Sequence, residues 1–233
     1  VAIITGGGSG MGRAQCKLFA AEGAAVCVAD VNAEAGAKVV DEIVAGGGRA
    51  IFTPLNVTEA DQWAAAVAAA EENFGKLTTL CNIAGANYRV SFDEQTEEMW
   101  HTIMEVALTG SFLGIKAAVP AMRRAGNGSI VNIGSMSGVV PSQFRGIYSA
   151  SKSGLASITE ALFYEVHPFG VHACVIEPGF FETAIDSNRM QTRRQSTSDY
   201  APLLAKYEPA GSRVPSGSKR VDPAPVVEAI VRA

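Results

Sequence analysis

Long basic runs are missing from this sequence. With a formal net charge of −4 it offers no electrostatic footprint for duplex nucleic acid or an anionic membrane surface. Its longest apolar stretches are interrupted by glycine, charged or polar residues and are expected to fall short of a membrane span. No signal-peptide pattern opens the chain. Four cysteines, Cys16, Cys27, Cys81 and Cys174, lack metal-ligand or redox-motif spacing and sit among apolar neighbours. They read as small buried hydrophobes in a reducing, cytoplasmic setting. His101, His167 and His172 form no metal-ligand pattern, so no metal is expected. There is no internal repeat, and neither end is capped. Residues 1–4 lie inside a strand pattern and 225–233 inside a helix pattern, so the native chain is expected to extend beyond both.

What is present is a chain of 233 residues, 48% of them hydrophobic, which suits one α/β domain with a large core. Short β-branched runs alternate with longer amphipathic ones. Strands are expected at 1–5, 25–29, 50–54, 79–83, 129–134 and 172–176. Helices are expected at 11–22, 33–45, 59–74, 97–125 and 148–167, with Pro120 kinking or ending the first part of the fourth. The strands are continuously apolar, as in a parallel sheet buried on both faces. The alternation predicts a single-domain, doubly wound Rossmann-type sheet flanked by helices. Residues 184–221, rich in Ser, Arg and Pro, break the rhythm and read as a substrate lid, because a helix pattern follows them.

The first strand runs into Thr5-Gly6-Gly7-Gly8-Ser9-Gly10-Met11-Gly12, and a helix follows. Backbone N–H groups at such a turn, with the helix N-terminus behind them, attract a pyrophosphate. The spacing departs from G-x-G-x-x-G, and the bland alternative is a glycine-rich turn without a ligand. Strand–turn–helix context favours the ligand. Asp30 ends the second strand, where a carboxylate can accept both ribose hydroxyls of an adenosine and repel a 2′-phosphate. Val31 follows it and Ser9 precedes Gly10, so no basic residue compensates. NAD is expected rather than NADP.

Tyr148 and Lys152 stand four apart at the start of a helix pattern, which places them on one face. An ammonium there is expected to lower the phenol's pKa and make Tyr148 a proton donor and acceptor. Ser135 follows the preceding strand, where its hydroxyl could hold a substrate oxygen. Alone, Y-x-x-x-K is weak; its weight comes from following the glycine turn and Ser135.

With these residues in this order, the chain resembles the short-chain dehydrogenase/reductase family over essentially its whole length. The resemblance is carried by the glycine turn, Asn82-Ile83-Ala84-Gly85, the serine of Asn132-Ile133-Gly134-Ser135, Tyr148/Lys152 and Pro178-Gly179. It implies that Ser135 orients the substrate, Tyr148 moves the proton, and Lys152 binds the nicotinamide ribose and depresses the Tyr148 pKa. Thr183 would bind the carboxamide. Asn82, Ala84 and Gly85 would line the adenosine side and brace the sheet. Asn56-Val57 stands where the family has D-V at the adenine, and the Asn56 amide oxygen is expected to accept from the adenine amino group. Val106-Ala107-Leu108 stands where the family has V-N-L, so Ala107 lacks the Asn that holds a relay water. That departure sustains an alternative, an NAD-binding scaffold or sensor with weakened catalysis. A nucleotide-sugar epimerase or dehydratase is disfavoured because the chain lacks room for a C-terminal substrate domain.

Tyr88, Val90, Phe92, Met136, Phe144, Phe180 and Phe181 are expected to form a mostly apolar pocket for a lipophilic secondary alcohol or ketone, though a packing role for them carries equal weight. Ile158, Ala161, Leu162 and Val166, with Phe112 and Ile115, exceed what one sheet face needs. A homo-oligomer, tetramer or dimer, is therefore expected.

Overall fold

The computed structural model describes residues 1–179 and 224–232. Six strands form one parallel sheet: β1 (Ala2–Thr5), β2 (Ala25–Asp30), β3 (Arg49–Pro54), β4 (Thr79–Asn82), β5 (Gly128–Ile133) and β6 (Val171–Ile176). Their order is β3-β2-β1-β4-β5-β6. The chain reverses direction across the sheet between β1 and β4, which opens a crevice at the carboxyl ends of those strands. Registers are regular, with Ile3 beside Cys27 and Leu80, and Asn82 beside Asn132.

The continuously apolar strands are explained by two cores, one on each face. Ile3, Cys27, Ala29, Leu80 and Ile130 point one way, onto α3 (Ala60–Phe74), α5 (Gly110–Ala125) and α7 (Gly146–Val166). Ala2, Ile4, Val26, Val28, Cys81 and Val131 point the other way, onto α1 (Gly10–Ala21), α2 (Ala33–Ala45) and a last helix α8 (Ala224–Arg232). Alternate residues thus feed alternate layers, so neither parity can be polar. Trp63 of α3 is fully buried, and its indole N–H donates to the Val57 carbonyl at 2.9 Å.

Local signals set the helix ends. Asn32 caps α2 by accepting from the Ala35 N–H at 3.0 Å, and Gly75 and Gly126 end α3 and α5 in the left-handed conformation. The expectation of a break at Pro120 is corrected. Pro120 lies inside an uninterrupted α5, and the irregularity comes earlier, in a π-helical segment Glu105–Thr109 that joins α4 (Glu97–Met104) to α5. Pro120 is on the exposed face. The π segment holds the fully buried Ala107, whose carbonyl accepts the Ser111 hydroxyl at 2.9 Å. By length and composition the stretch Glu97–Ala125 could cross a membrane, contrary to expectation. In the fold its Ile103, Ile115, Ala118, Ala121 and Met122 are packed as core.

The expected surplus apolar face also changes membership. Ile115 and Val166 are core residues, and Ile158 and Leu162 pack against it. Large side chains left in solvent on these helices include Trp100 on α4, Phe112 on α5, and Phe163 and Tyr164 on α7. The expected lid at 184–221 lies outside the described residues.

Candidate active site

The glycine turn leaves β1 and enters α1 at the crevice. Gly6 takes φ +64°, which an L side chain resists. At Gly12 a Cβ would lie 2.1 Å from the Gly6 carbonyl oxygen, so the helix can approach the turn only without a side chain. Ser9 is the N-cap of α1, makes no side-chain cap bond, and no acidic residue occupies the first turn. The first N–H groups of α1 are therefore left for an anion. Met11 packs against the α1 side of the core. Thr5 secures the turn from below, its hydroxyl accepting the Ile83 and Ala84 N–H groups at 2.9 and 3.0 Å and donating to the Cys81 carbonyl. This ties the turn to Ala84, whose Cα sits against Gly6. Gly85 follows with open space around its Cα.

The Asp30 carboxylate accepts the Gly8 N–H and the Asn32 N–H, each at 2.9 Å. Two amides aim it across the turn while other lone pairs stay available. Val31, just beyond, is 73% exposed. The cradle fits a dinucleotide: an uncapped helix N-terminus, a turn that a Cβ would fill, and an oriented carboxylate at the ribose position.

Several expected cofactor residues have partners within the protein. The Asn56 Oδ1 accepts both the N–H and the hydroxyl of Thr58, at 3.2 and 3.0 Å. The Val57 side chain is core and abuts Gly110. Asn82 braces the sheet: its Nδ2 donates to Asn132 Oδ1 at 2.8 Å, Asn132 Nδ2 donates to Thr159 at 2.8 Å, and all three residues are buried. The Pro178 carbonyl accepts the Met136 N–H at 3.1 Å, and a Cβ at Gly179 would meet nothing within 4 Å among the described residues. Thr183, Phe180 and Phe181 lie outside the described residues.

Ser135, Tyr148 and Lys152 come together across β5 and α7. Ser135 caps a short helix α6 (Met136–Val139) by accepting the Ser137 N–H at 3.1 Å, and its hydroxyl acts on the Tyr148 phenol in the direction that favours the phenolate. Tyr148 is the third residue of α7, not its first, because the helix starts at Gly146. Lys152 lies one turn on, its Nζ 5.7 Å from the Tyr148 ring centre, and donates to the Ile133 carbonyl at 2.6 Å.

The electrostatics differ from expectation. Burial pushes the Tyr148 phenol above its ordinary value, against the opposing pull of the Ser135 hydroxyl and the Arg145 guanidinium. Burial also pushes Lys152 down, to about 8. Lys152 is not among the groups that pull the phenol down, so in the free protein the expected depression of the Tyr148 pKa by Lys152 is not seen.

Among the expected substrate residues, Tyr88 packs with Ile103, Ile147 and Tyr148 beside the reacting phenol. Met136 is 44% exposed, and Phe144 is half-buried with φ +65°. Phe92 points into solvent and Val90 into the interior. Sequence reasoning missed the anchoring work of Thr5, Asn132 and Thr159 and the charge of Arg145. Only Arg145, three residues before the tyrosine, left a legible signal.

A family model described as short chain dehydrogenase matches residues 1–194. The 2,5-dichloro-2,5-cyclohexadiene-1,4-diol dehydrogenase of Sphingobium indicum is 46% identical over 188 residues, covering 81% of this chain and 75% of that protein. The trans-4-hydroxycyclohexanecarboxylate dehydrogenase of Sinomonas cyclohexanicum is 40% identical, covering 78% and 73%. A crystal structure of a short-chain dehydrogenase/reductase from Burkholderia phymatum in complex with NAD superposes with a TM-score of 0.85 at 30% identity, covering 99% of this chain and 85% of that one.

Proposed function

Since the chain belongs to the short-chain dehydrogenase family and is an oxidoreductase acting on CH–OH groups, we propose that it interconverts a ring secondary alcohol and its ketone with NAD. The observation that carries this reading is the placing of the buried Tyr148 and Lys152 one turn apart on α7, with the Lys152 Nζ 5.7 Å from the Tyr148 ring centre and Ser135 acting on the phenol. The two relatives act on hydroxylated six-membered carbocycles by name. The apolar wall of Tyr88, Ile103 and Ile147 suits such a ring.

In the oxidative direction Ser135 holds the alcohol oxygen and Tyr148, as phenolate, takes the hydroxyl proton at Oη. A nicotinamide dinucleotide, which the glycine turn at Gly6–Gly12 and Asp30 would hold, would supply the hydride acceptor. Lys152, half-titrated near pH 8 and hydrogen-bonded to Ile133, is placed to offer a donor to a ribose and to exchange protons with the phenol's surroundings. Asp30 supports NAD over NADP because a 2′-phosphate would meet a carboxylate already fixed by two amides. The neighbouring NAD complex supports the same cofactor.

The four free thiols suit a cytoplasmic setting, and the exposed Phe112, Phe163 and Tyr164 suit association of identical chains. The competing reading, a cofactor-binding sensor, draws on Ala107. One assay decides between them: NADH formation from cyclohexanol-type alcohols by wild type and Tyr148→Phe. Turnover abolished in the variant supports the enzyme. Absence of wild-type turnover across a panel of ring alcohols, with NAD still bound, sinks it.

A further inference from the structure

Helix α7 begins on a residue that its own electrostatics disfavour. A helix N-terminus carries partial positive charge and is normally capped by Ser, Thr, Asp or Asn. Here the N-cap is Arg145, with no side-chain cap bond and no acidic residue in the first turn. Arg145 is half-buried, and among the described residues its guanidinium has no ion-pair or hydrogen-bond partner. One turn along the same face, the buried Ser149 hydroxyl also lacks a partner. Just before Arg145, Phe144 holds φ +65°, the one positive φ outside glycine among the described residues, and so fixes how the chain enters the helix. A local rule broken without compensation in a packed fold marks a functional position.

The position is the active site. Arg145 lies three residues before Tyr148, close enough for its charge to act on the phenol. Among the described residues this guanidinium has no carboxylate of its own, and its planar fork fits a bidentate carboxylate on a substrate. We infer that the substrate is a ring alcohol bearing a carboxylate, which Arg145 and the uncapped first turn of α7 hold while its hydroxyl lies at Ser135 and Tyr148. This rests on the ring-alcohol reading above and adds the second point of attachment.

The test is calorimetric binding to the NADH-saturated protein of cyclohexanecarboxylate, its neutral amide, and acetate. Wild type is expected to bind the acid at least tenfold more tightly than the amide, and acetate far more weakly. Arg145→Gln is expected to bring acid and amide together, with Arg145→Lys in between. Equal binding of acid and amide by wild type, or an acid preference that survives Arg145→Gln, overturns the inference. So does acetate binding as tightly as the ring acid, which would mean an adventitious ion only. NADH affinity reports whether Arg145→Gln is folded; if it is not, the wild-type acid-to-amide ratio decides. Turnover of cyclohexanol is a separate measurement: its absence beside a strong acid preference removes the ring-alcohol reaction and leaves the anion site standing.

Discussion

Asp30 and Gly8 are joined by a 2.9 Å hydrogen bond from the glycine N–H to the carboxylate, so the residue proposed to select the cofactor also shapes the glycine turn. Asp30→Ala is therefore expected to have two effects. NAD binding weakens about tenfold, since a charged hydrogen bond to a ligand is worth about 1.5–3 kcal/mol and part of it is regained from water. The NAD-over-NADP preference also shrinks. Fluorescence titration with both reduced cofactors measures this, and an unchanged preference would put the selection elsewhere.

Gly12→Ala forces a Cβ to 2.1 Å from the Gly6 carbonyl, and neither partner is a flexible side chain. Loss of cofactor binding is expected, together with a destabilisation of about 1–3 kcal/mol or more from overpacking. Denaturant melts of wild type and variant check it. A variant that binds NADH normally would show that α1 can retreat from the turn.

The pH dependence of alcohol oxidation follows from the groups around Tyr148. The phenolate is the form that takes the proton, and burial raises the pKa while Ser135 and Arg145 lower it. Removing either lowering group raises the pKa further and leaves less phenolate at a given pH. The rising limb of kcat/KM against pH is thus expected to move to higher pH in Ser135→Ala and Arg145→Gln. A shift to lower pH, or none in either variant, would contradict the assignment.

Lys152 carries a stability cost that its chemistry requires. Burial lowers its pKa from 10.5 to about 8, so the folded protein binds the proton less well than the unfolded chain does. Between those values the unfolded state holds more protons, and stability rises with pH; below about 8 the full cost is present. At pH 7, Lys152→Met is expected to be more stable by on the order of 1 kcal/mol, after loss of the Ile133 hydrogen bond, and inactive. The gain should fade as pH approaches 10.5. Thermal melts across pH 6–10 test it; a variant less stable than wild type at pH 7 refutes the sign.

Ala107→Asn asks whether the missing relay side chain limits turnover. Ala107 is fully buried in the π segment and its carbonyl is engaged by Ser111. The expected outcome is a several-fold higher kcat with unchanged NADH affinity, at a stability cost of about 1–3 kcal/mol for overpacking. Unchanged kcat in a folded variant means that proton exchange is not limiting, or that another group already serves it.

The fold was legible because each of its six strands is a short apolar run bounded by polar or glycine residues, and parallel burial leaves no period to misread. The grouping of Ser135 with Tyr148 and Lys152 was legible because Tyr148 and Lys152 sit on a single helix and Ser135 follows the adjoining strand by two residues. Electrostatics was not. The sequence spacing suggests an ammonium that lowers the phenol's pKa, but it carries no information on how deeply Lys152 is buried or that it turns to Ile133. Asn82 shows the same limit: Asn132 lies 50 residues away, and the pairing of β4 with β5 alone makes the two neighbours. Pro120 misled because the loss of one intrahelical hydrogen bond does not end a helix whose neighbouring residues, Ala118, Ala121 and Met122, are packed as core.

The bonds from Ile83 and Ala84 to Thr5 span 78 and 79 residues, and those across β1 and β4 are comparably long-range. Closing a loop of that size is entropically expensive before any contact rewards it, and parallel pairing postpones the reward further. The dinucleotide cradle therefore does not exist in a nascent chain until β4 has been synthesised and docked. A ligand that binds only the finished cradle would not guide the early search; it would slow escape from the native state.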